Sequence, residues 1–276
     1  MFYLGLEELI KKTLYEDIGH GDITTLNLIN AEEEATGVFY IKADGVIAGL
    51  EIAKAVFNIL EPEIKFTSYK KDGDLVVSGD VVAKVAGKTR TLLTGERLAL
   101  NFMQRLSGIA TKTHAMVEKI KHQKAEIVDT RKTTPGLRVL EKYAVNVGGA
   151  RNHRFGLYDG VMIKDNHIIA AGSIQKAVSL IRGRVSHTIK IEVEVESLAQ
   201  LQEALEAQAD IIMLDNMDIK MMQEAVELVD GRALLEASGG IDEETIIEVA
   251  KTGVDFISIG ALTHSATALD ISFKLE

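Results

Sequence analysis

The sequence predicts an α/β protein, a small α+β module followed by a parallel α/β barrel. Its second half repeats short apolar runs, "AEIVDTRK", "DGVMIKDNH", "TIKIEVEVE", "ADIIMLDN", "ALLEASGG" and "VDFISIGA". Amphipathic stretches such as "SLAQLQEALEAQ" and "DEETIIEVAKTG" separate them. The repeat of roughly 20 to 30 residues is the size of a βα unit, and a row of such units builds a parallel sheet or a barrel. Each run starts apolar and ends in chemistry: Arg131 and Lys132, Lys164, Glu194, Asp215, Ser238 with Gly239 and Gly240, then Gly260. Barrel enzymes build their sites at the C-terminal strand ends, so closure would gather these groups at one mouth. A doubly wound sheet would line them along a crevice. No GxGxxG follows a strand, and the barrel is the better reading.

The elements follow in order. "MFYLGLEELIKKTLYEDIGHGD" is a short amphipathic helix without the basic start and long apolar run of a signal peptide. No window approaches the roughly 18 uninterrupted apolar residues of a membrane span. A cytoplasmic protein without membrane partners is expected. "ATGVFYIKADGVIAGLE" places two β-rich runs around Asp44-Gly45, a hairpin-type dipeptide. "EIAKAVFNIL" has helical spacing, and "IKFTSYKKDGDLVVSGDVVAKVAG" returns to strands with glycine turns. From Thr91 the chain is helical, with Leu98, Phe102 and Leu106 on one stripe. Gly108 is expected to break it into two helices.

A formal charge of −10 argues against general nucleic-acid binding, which uses broad basic surfaces. With no cysteine, disulfides, thiolate nucleophiles and zinc–thiolate sites are excluded. Yet residues 129–154 form a cationic island: Arg131, Lys132, Arg138, Lys142, Arg151 and Arg154 stand against only Asp129 and Glu141. Arginine forks suit planar carboxylates and phosphates. Glu194 and Asp215, at neighbouring strand ends, could bind Mg²⁺ through a phosphorylated substrate or stabilise positive charge at a sugar carbon. The glycine-rich ends offer backbone N–H groups to a phosphate. The constellation describes a substrate with carboxylates and phosphates that reacts through a cationic centre.

Plainer readings stand beside these. Arg138 and Lys142 share a helix face and fit solvated surface residues equally well. His153 alone would be a structural histidine, although Arg154 follows it. Glu192, Glu194 and Glu196 should share one strand face pointing into the barrel, which is costly unless they are paired, and Lys164 is the expected counter-charge. His20, His114, His122 and His187 show no ligand spacing. Lys164 as a Schiff-base lysine of a barrel aldolase is a rival, as is a binding protein that has lost catalysis.

Several stretches, "EDIGHGDITT", "GERLALNFMQRLSGIAT", "DTRKTTPGLRVLEKYAV", "GGARNHRFGLYDGVMIKDNH", "EVEVESL", "DIIMLDN", "LEASGGI" and "ISIGALTHSA", closely resemble the quinolinate phosphoribosyltransferase family. They run in the family's order from about residue 16 to the C-terminus. The resemblance implies an N-terminal α/β sandwich domain, 1–108, joined by the tail 266–276, and an incomplete α/β barrel, 109–265. It implies that quinolinate and phosphoribosyl pyrophosphate give nicotinate mononucleotide, pyrophosphate and CO₂ with Mg²⁺, a step of de novo NAD synthesis.

By the same resemblance, the quinolinate pocket would contain Arg131 with its neighbour Thr130, His153, Arg154 and Lys164. Arg97 would serve the neighbouring subunit's site, which implies a homodimer or higher homo-oligomer. Lys132 would lie near the phosphates and the reacting centre. Glu194 and Asp215 would face the ribose and the metal–pyrophosphate, and Ser238, Gly239, Gly240 and Gly260 would form the 5′-phosphate loops. Ala150 and Thr267 depart from the family pattern, where a glycine and a proline are common. A relative that keeps the fold but takes another substrate, such as nicotinate, is the nearest alternative.

Overall fold

The computed structural model describes residues 5–276; the first four residues of the opening stretch lie outside them. The chain divides into two compact units, one ending at Lys112 and including Ala266–Glu276, the other Thr113–Ser265.

The first unit opens with helix α1 (Leu6–Ile18), which buries Ile10 and Leu14, and α2 (Ile23–Leu28), capped by the Asp22 carboxylate on Thr25 N–H. Strands β1 (Glu34–Ile41) and β2 (Gly45–Val46) lead into α3 (Leu50–Leu60), then β3 (Lys65–Ser68), β4 (Leu75–Val76) and β5 (Val81–Lys88). Helix α4 (Thr89–Ile120) follows and continues into the second unit. That unit runs β6 (Glu126–Val128), α5 (Arg138–Val147), β7 (Val161–Ile163), α6 (Asp165–Ala171), α7 (Ile174–Arg182) and β8 (Ile191–Val195). It continues with α8 (Leu198–Glu206), β9 (Ile211–Asp215), α9 (Ile219–Val229), β10 (Leu234–Ser238), α10 (Ile246–Lys251), β11 (Phe256–Ser258) and α11 (Ala261–His264). The tail strand β12 (Ile271–Leu275) belongs to the first unit.

In the first unit an antiparallel sheet of order β12-β1-β5-β3 is seamed by Phe39, Phe57, Phe66 and Phe273, with ring centroids 4.8–6.4 Å apart. Such contacts favour tilted and edge-on rings. Two expectations fail here. Asp44-Gly45 is not a hairpin turn: β1 pairs with β5 and β12, while β2 pairs with β4, and Asp44 instead accepts the Ser78 N–H. Nor does Gly108 break a helix. It lies inside α4, where a Cβ would stand 2.0 Å from the Thr267 carbonyl oxygen. This glycine admits the returning tail; it does not end the helix. Leu98, Phe102 and Leu106 are buried along α4, as their stripe predicts.

The second unit carries a six-stranded parallel sheet of order β6-β11-β10-β9-β8-β7. Strands β7 through β11 follow one another in chain order, β6 lies beside β11, and no β6–β7 pairing closes the sheet among the described residues, so the barrel is incomplete. All six sequence runs are strands. Three helices of this unit begin with side-chain caps: Ser173, Ser197 and Asp218 accept the N–H groups of Lys176, Gln200 and Met221 at the starts of α7, α8 and α9. The caps satisfy orphan N–H groups and fix where each helix begins.

Candidate active site

A cavity of about 740 Å³ opens in the second unit at the C-terminal strand ends. Thr130, Arg131 and Lys132 border it beyond β6, His153 and Arg154 beyond the turn after α5, and Lys164 beyond β7. Glu194, Asp215, Ser238 and the glycines Gly239, Gly240 and Gly260 complete its polar wall. One of the predicted site residues is not in this wall: Arg97 lies on α4 in the other unit.

The cationic side is set by a buried hub. The Asp129 carboxylate accepts from Lys142 Nζ, from His153 N–H at 2.8 Å and from Asn152 Nδ2 at 2.7 Å. Lys142 also donates to the His153 carbonyl at 2.9 Å and stands 5.1 Å from the centre of the Phe155 ring. Both charged side chains are fully buried. Lys142 is therefore no solvated surface residue; its helix face turns inward. Arg138 is likewise held, donating to Thr133 Oγ1 at 3.0 Å and to the Phe155 carbonyl at 2.9 Å. Asp159 accepts the N–H groups of Phe155 and Gly156, and Arg154 reaches the Gly160 carbonyl at 2.9 Å, which shapes the loop that presents Arg154.

Burial, and then the nearby charge of Arg131, push the Arg154 guanidinium below its ordinary pKa. Two arginines close enough to repel border the same cavity, and Arg131 and Lys132 have no carboxylate partner among the described residues. Cations arranged this way call for an anionic ligand.

Opposite them, Lys164 pairs with Glu194, as the sequence suggested. Glu196 turns out exposed just past β8, while Glu192 is buried with His153 Nε2 3.1 Å from its Oε2. Asp215 ends β9 and accepts from Asn216 Nδ2 at 2.9 Å. Asn216 is left-handed at φ 54°, and a Cβ on Gly239 (φ 97°) would stand 2.2 Å from its Oδ1. Gly239 is thus required by the turn itself. A Cβ on Gly260 would fall 2.9 Å from Lys132 Cδ, so that glycine leaves room for the lysine stem.

Sequence reasoning missed Glu236, a buried acid of β10 that also borders the cavity. Its one signal was a glutamate in the strand run "LLEAS". It also missed Asp129 and Lys142 as partners.

An open α/β ring whose strand ends gather unpaired cations, two carboxylates and glycine turns defines an enzyme that handles anionic substrates. The family models for the N-terminal and C-terminal domains of quinolinate phosphoribosyl transferase match residues 22–107 and 109–274. The chain belongs to the quinolinate phosphoribosyl transferase family. It is 46% identical to a probable nicotinate-nucleotide pyrophosphorylase (carboxylating) of Bacillus subtilis, over all of this chain and 95% of that one. It is 44% identical to the chloroplastic enzyme of Arabidopsis thaliana, over 98% of this chain and 83% of the other. The crystal structure of NadC from Streptococcus pyogenes superposes with a TM-score of 0.96 at 44% identity, covering 100% of this chain and 99% of that one. Human nicotinic acid phosphoribosyltransferase, at 12% identity and a TM-score of 0.65, shares the fold.

Proposed function

We propose that the chain transfers the phosphoribosyl group of phosphoribosyl pyrophosphate to quinolinate with decarboxylation, as a cytoplasmic, homodimeric enzyme of de novo NAD synthesis. The observation that carries this is that Arg131 and Arg154 stand close together on the wall of one cavity, beside His153 and Lys164. A planar dicarboxylate satisfies such a set better than a single carboxylate does.

The residues divide the work. Arg131, Arg154 and Lys164 orient the two carboxylates so that the pyridine nitrogen faces C1 of the ribose. Lys132 faces the leaving pyrophosphate. Ser238, Gly239, Gly240 and Gly260 offer hydroxyl and backbone groups to the 5′-phosphate. As the bond from C1 to pyrophosphate breaks, positive charge at C1 is stabilised by Glu194 and Asp215, and the ring nitrogen attacks with inversion. The quaternised ring loses its 2-carboxylate as CO₂, and the carbon takes up a proton. Positioning and fixed charge supply the rate, and no covalent nucleophile is needed. Lys164 donates one of its three N–H groups to Glu194 and keeps the others for a substrate carboxylate, a use of the ammonium that disfavours a Schiff-base role.

Glu194 and Asp215 are hard oxygen donors on adjacent strands and fit Mg²⁺. One Glu194 oxygen is already taken by Lys164, so most of the ion's ligands would come from phosphates and water. What Mg²⁺ would supply is neutralisation of the pyrophosphate charge. Arg97, from the first unit, is assigned to the partner's site. A substrate panel tests the reading: turnover with quinolinate and phosphoribosyl pyrophosphate, none with nicotinate. Turnover with nicotinate alone would replace it by the other-substrate reading.

A further inference from the structure

At the floor of the cavity the barrel interior holds acid where such interiors usually hold branched aliphatic side chains. Glu192 on β8 and Glu236 on β10 are each only 3% exposed, and Oε1 of each has no hydrogen-bond partner. Their Oε2 atoms face His153 Nε2, at 3.1 Å for Glu192 and 3.6 Å for Glu236. Two ionised carboxylates this deep are costly unless something neutralises one of them.

A metal ion is one candidate, since the three donor atoms lie within 4.8 Å of one another. His153 argues against it. Its Nδ1 accepts the Arg154 N–H at 2.7 Å, so Nδ1 carries no proton and the neutral ring keeps its proton on Nε2. That is the atom a metal would need bare. Burial opposes a charged ring, and the hydrogen bond to Glu192 with the charges of Glu236 and Glu192 outweighs it, raising the His153 pKa. A protonated Nδ1 would nevertheless meet the Arg154 N–H donor to donor, and this contact decides for the neutral ring.

We infer that Glu236 holds a proton in the resting site, and that the Glu236–Glu192 pair fixes His153 as its Nε2–H tautomer and keeps the floor of the anion pocket at one negative charge instead of two. Glu236 is a positioning residue for the dicarboxylate, acting through His153, and this role rests on the reading of the cavity given above. The surroundings agree. Burial first, then the charges of Glu192 on β8 and Asp129 beyond β6, raise Glu236 to about 7, against His153 and the Ser258 hydroxyl of β11. The same cavity is bordered by the cations Arg131, Lys132, Arg154 and Lys164, by the carboxylates Glu194 of β8, Asp215 of β9 and Asp242, and by His264 of α11. Loss of the Glu236 proton puts a second negative charge under a dianionic ligand, so affinity should fall as pH rises through neutrality.

Infrared difference spectroscopy of the ligand-free protein, from well below to well above neutrality, reads the proton directly. Wild type should show a protonated-carboxyl band that is lost through neutrality, where ordinary carboxyls are already ionised, and Glu236→Gln should lack that component. No component lost through neutrality overturns the assignment, whatever the enzyme turns over. A band without quinolinate turnover leaves the proton assigned and sinks the functional reading instead. In kinetics, the wild-type KM for quinolinate should climb above neutrality, by at most about tenfold per pH unit for one linked proton, with kcat moving less. Glu236→Gln should flatten that rise, and equal slopes in both proteins overturn the positioning role. Equilibrium dialysis against Zn²⁺ should find no uptake that Glu236→Gln abolishes; stoichiometric uptake lost in that variant overturns the proton in favour of a metal.

Discussion

Lys142 and Asp129 form an ion pair in which neither side chain reaches solvent. Burial pushes the lysine pKa down and the aspartate pKa up, and each resists through the other. The pair matters because Asp129 also accepts the His153 N–H, at the turn that presents Arg154. Replacing Lys142 by Met leaves a buried carboxylate without its cation and is expected to cost about 3–5 kcal/mol in denaturant unfolding. The double variant Lys142→Met with Asp129→Leu should recover part of that loss. A double variant no more stable than the single one would contradict the account.

Gly108→Ala separates helix propensity from packing. Propensity alone expects a gain of about 1 kcal/mol inside a helix. The 2.0 Å approach to the Thr267 carbonyl expects the opposite, a loss of about 1–3 kcal/mol. Thermal or chemical unfolding reads the sign.

These two sites show where sequence reading stops. The six barrel strands were legible because each apolar run ends in a polar group or glycine, and the predicted cavity residues from Thr130 to Gly260, His153 and Arg154 apart, lie at those ends. The Phe102 stripe was legible because helical periodicity is local. The partner of β1 was not, since β5 and β12 are chosen by long-range packing, and the tail begins more than two hundred residues later. Gly108 looks like a helix breaker until Thr267 is seen beside it. Lys142 looks solvated because nothing in "GLRVLEKY" reveals Asp129, and Glu236 is hidden in an apolar run. In each case the missing information was a contact between residues distant in sequence.

Arg131→Ala should raise the KM for quinolinate by roughly 10- to 150-fold, the equivalent of about 1.5–3 kcal/mol for a lost charge-assisted contact. Mixing this variant with Arg97→Ala tests the assignment of Arg97. If Arg97 acts on the partner's site, randomly exchanged dimers regain about a quarter of wild-type activity, since half are mixed and each carries one intact site. No recovery after subunit exchange would return Arg97 to a structural role within its own chain.

Glu236 also leaves a mark on stability. Its pKa is raised from 4.5 to about 7 in the folded protein. Between those values the unfolded chain has lost the proton and the folded one keeps it, so stability falls as pH rises, then levels off above about 7. The total is about 3 kcal/mol at most. Unfolding free energies of wild type and Glu236→Gln across that range should diverge in slope, and parallel curves would contradict the raised value.

Phosphoribosyl transfer and loss of the 2-carboxylate are proposed to occur on one pyridine in this cavity. Quinolinate labelled at the 2-carboxylate, supplied with phosphoribosyl pyrophosphate and Mg²⁺, tests it most directly when released CO₂ and nicotinate mononucleotide are counted together. Equal amounts of both, abolished in Arg131→Ala, are expected. Mononucleotide without labelled CO₂, or neither product from folded protein, would contradict the claim.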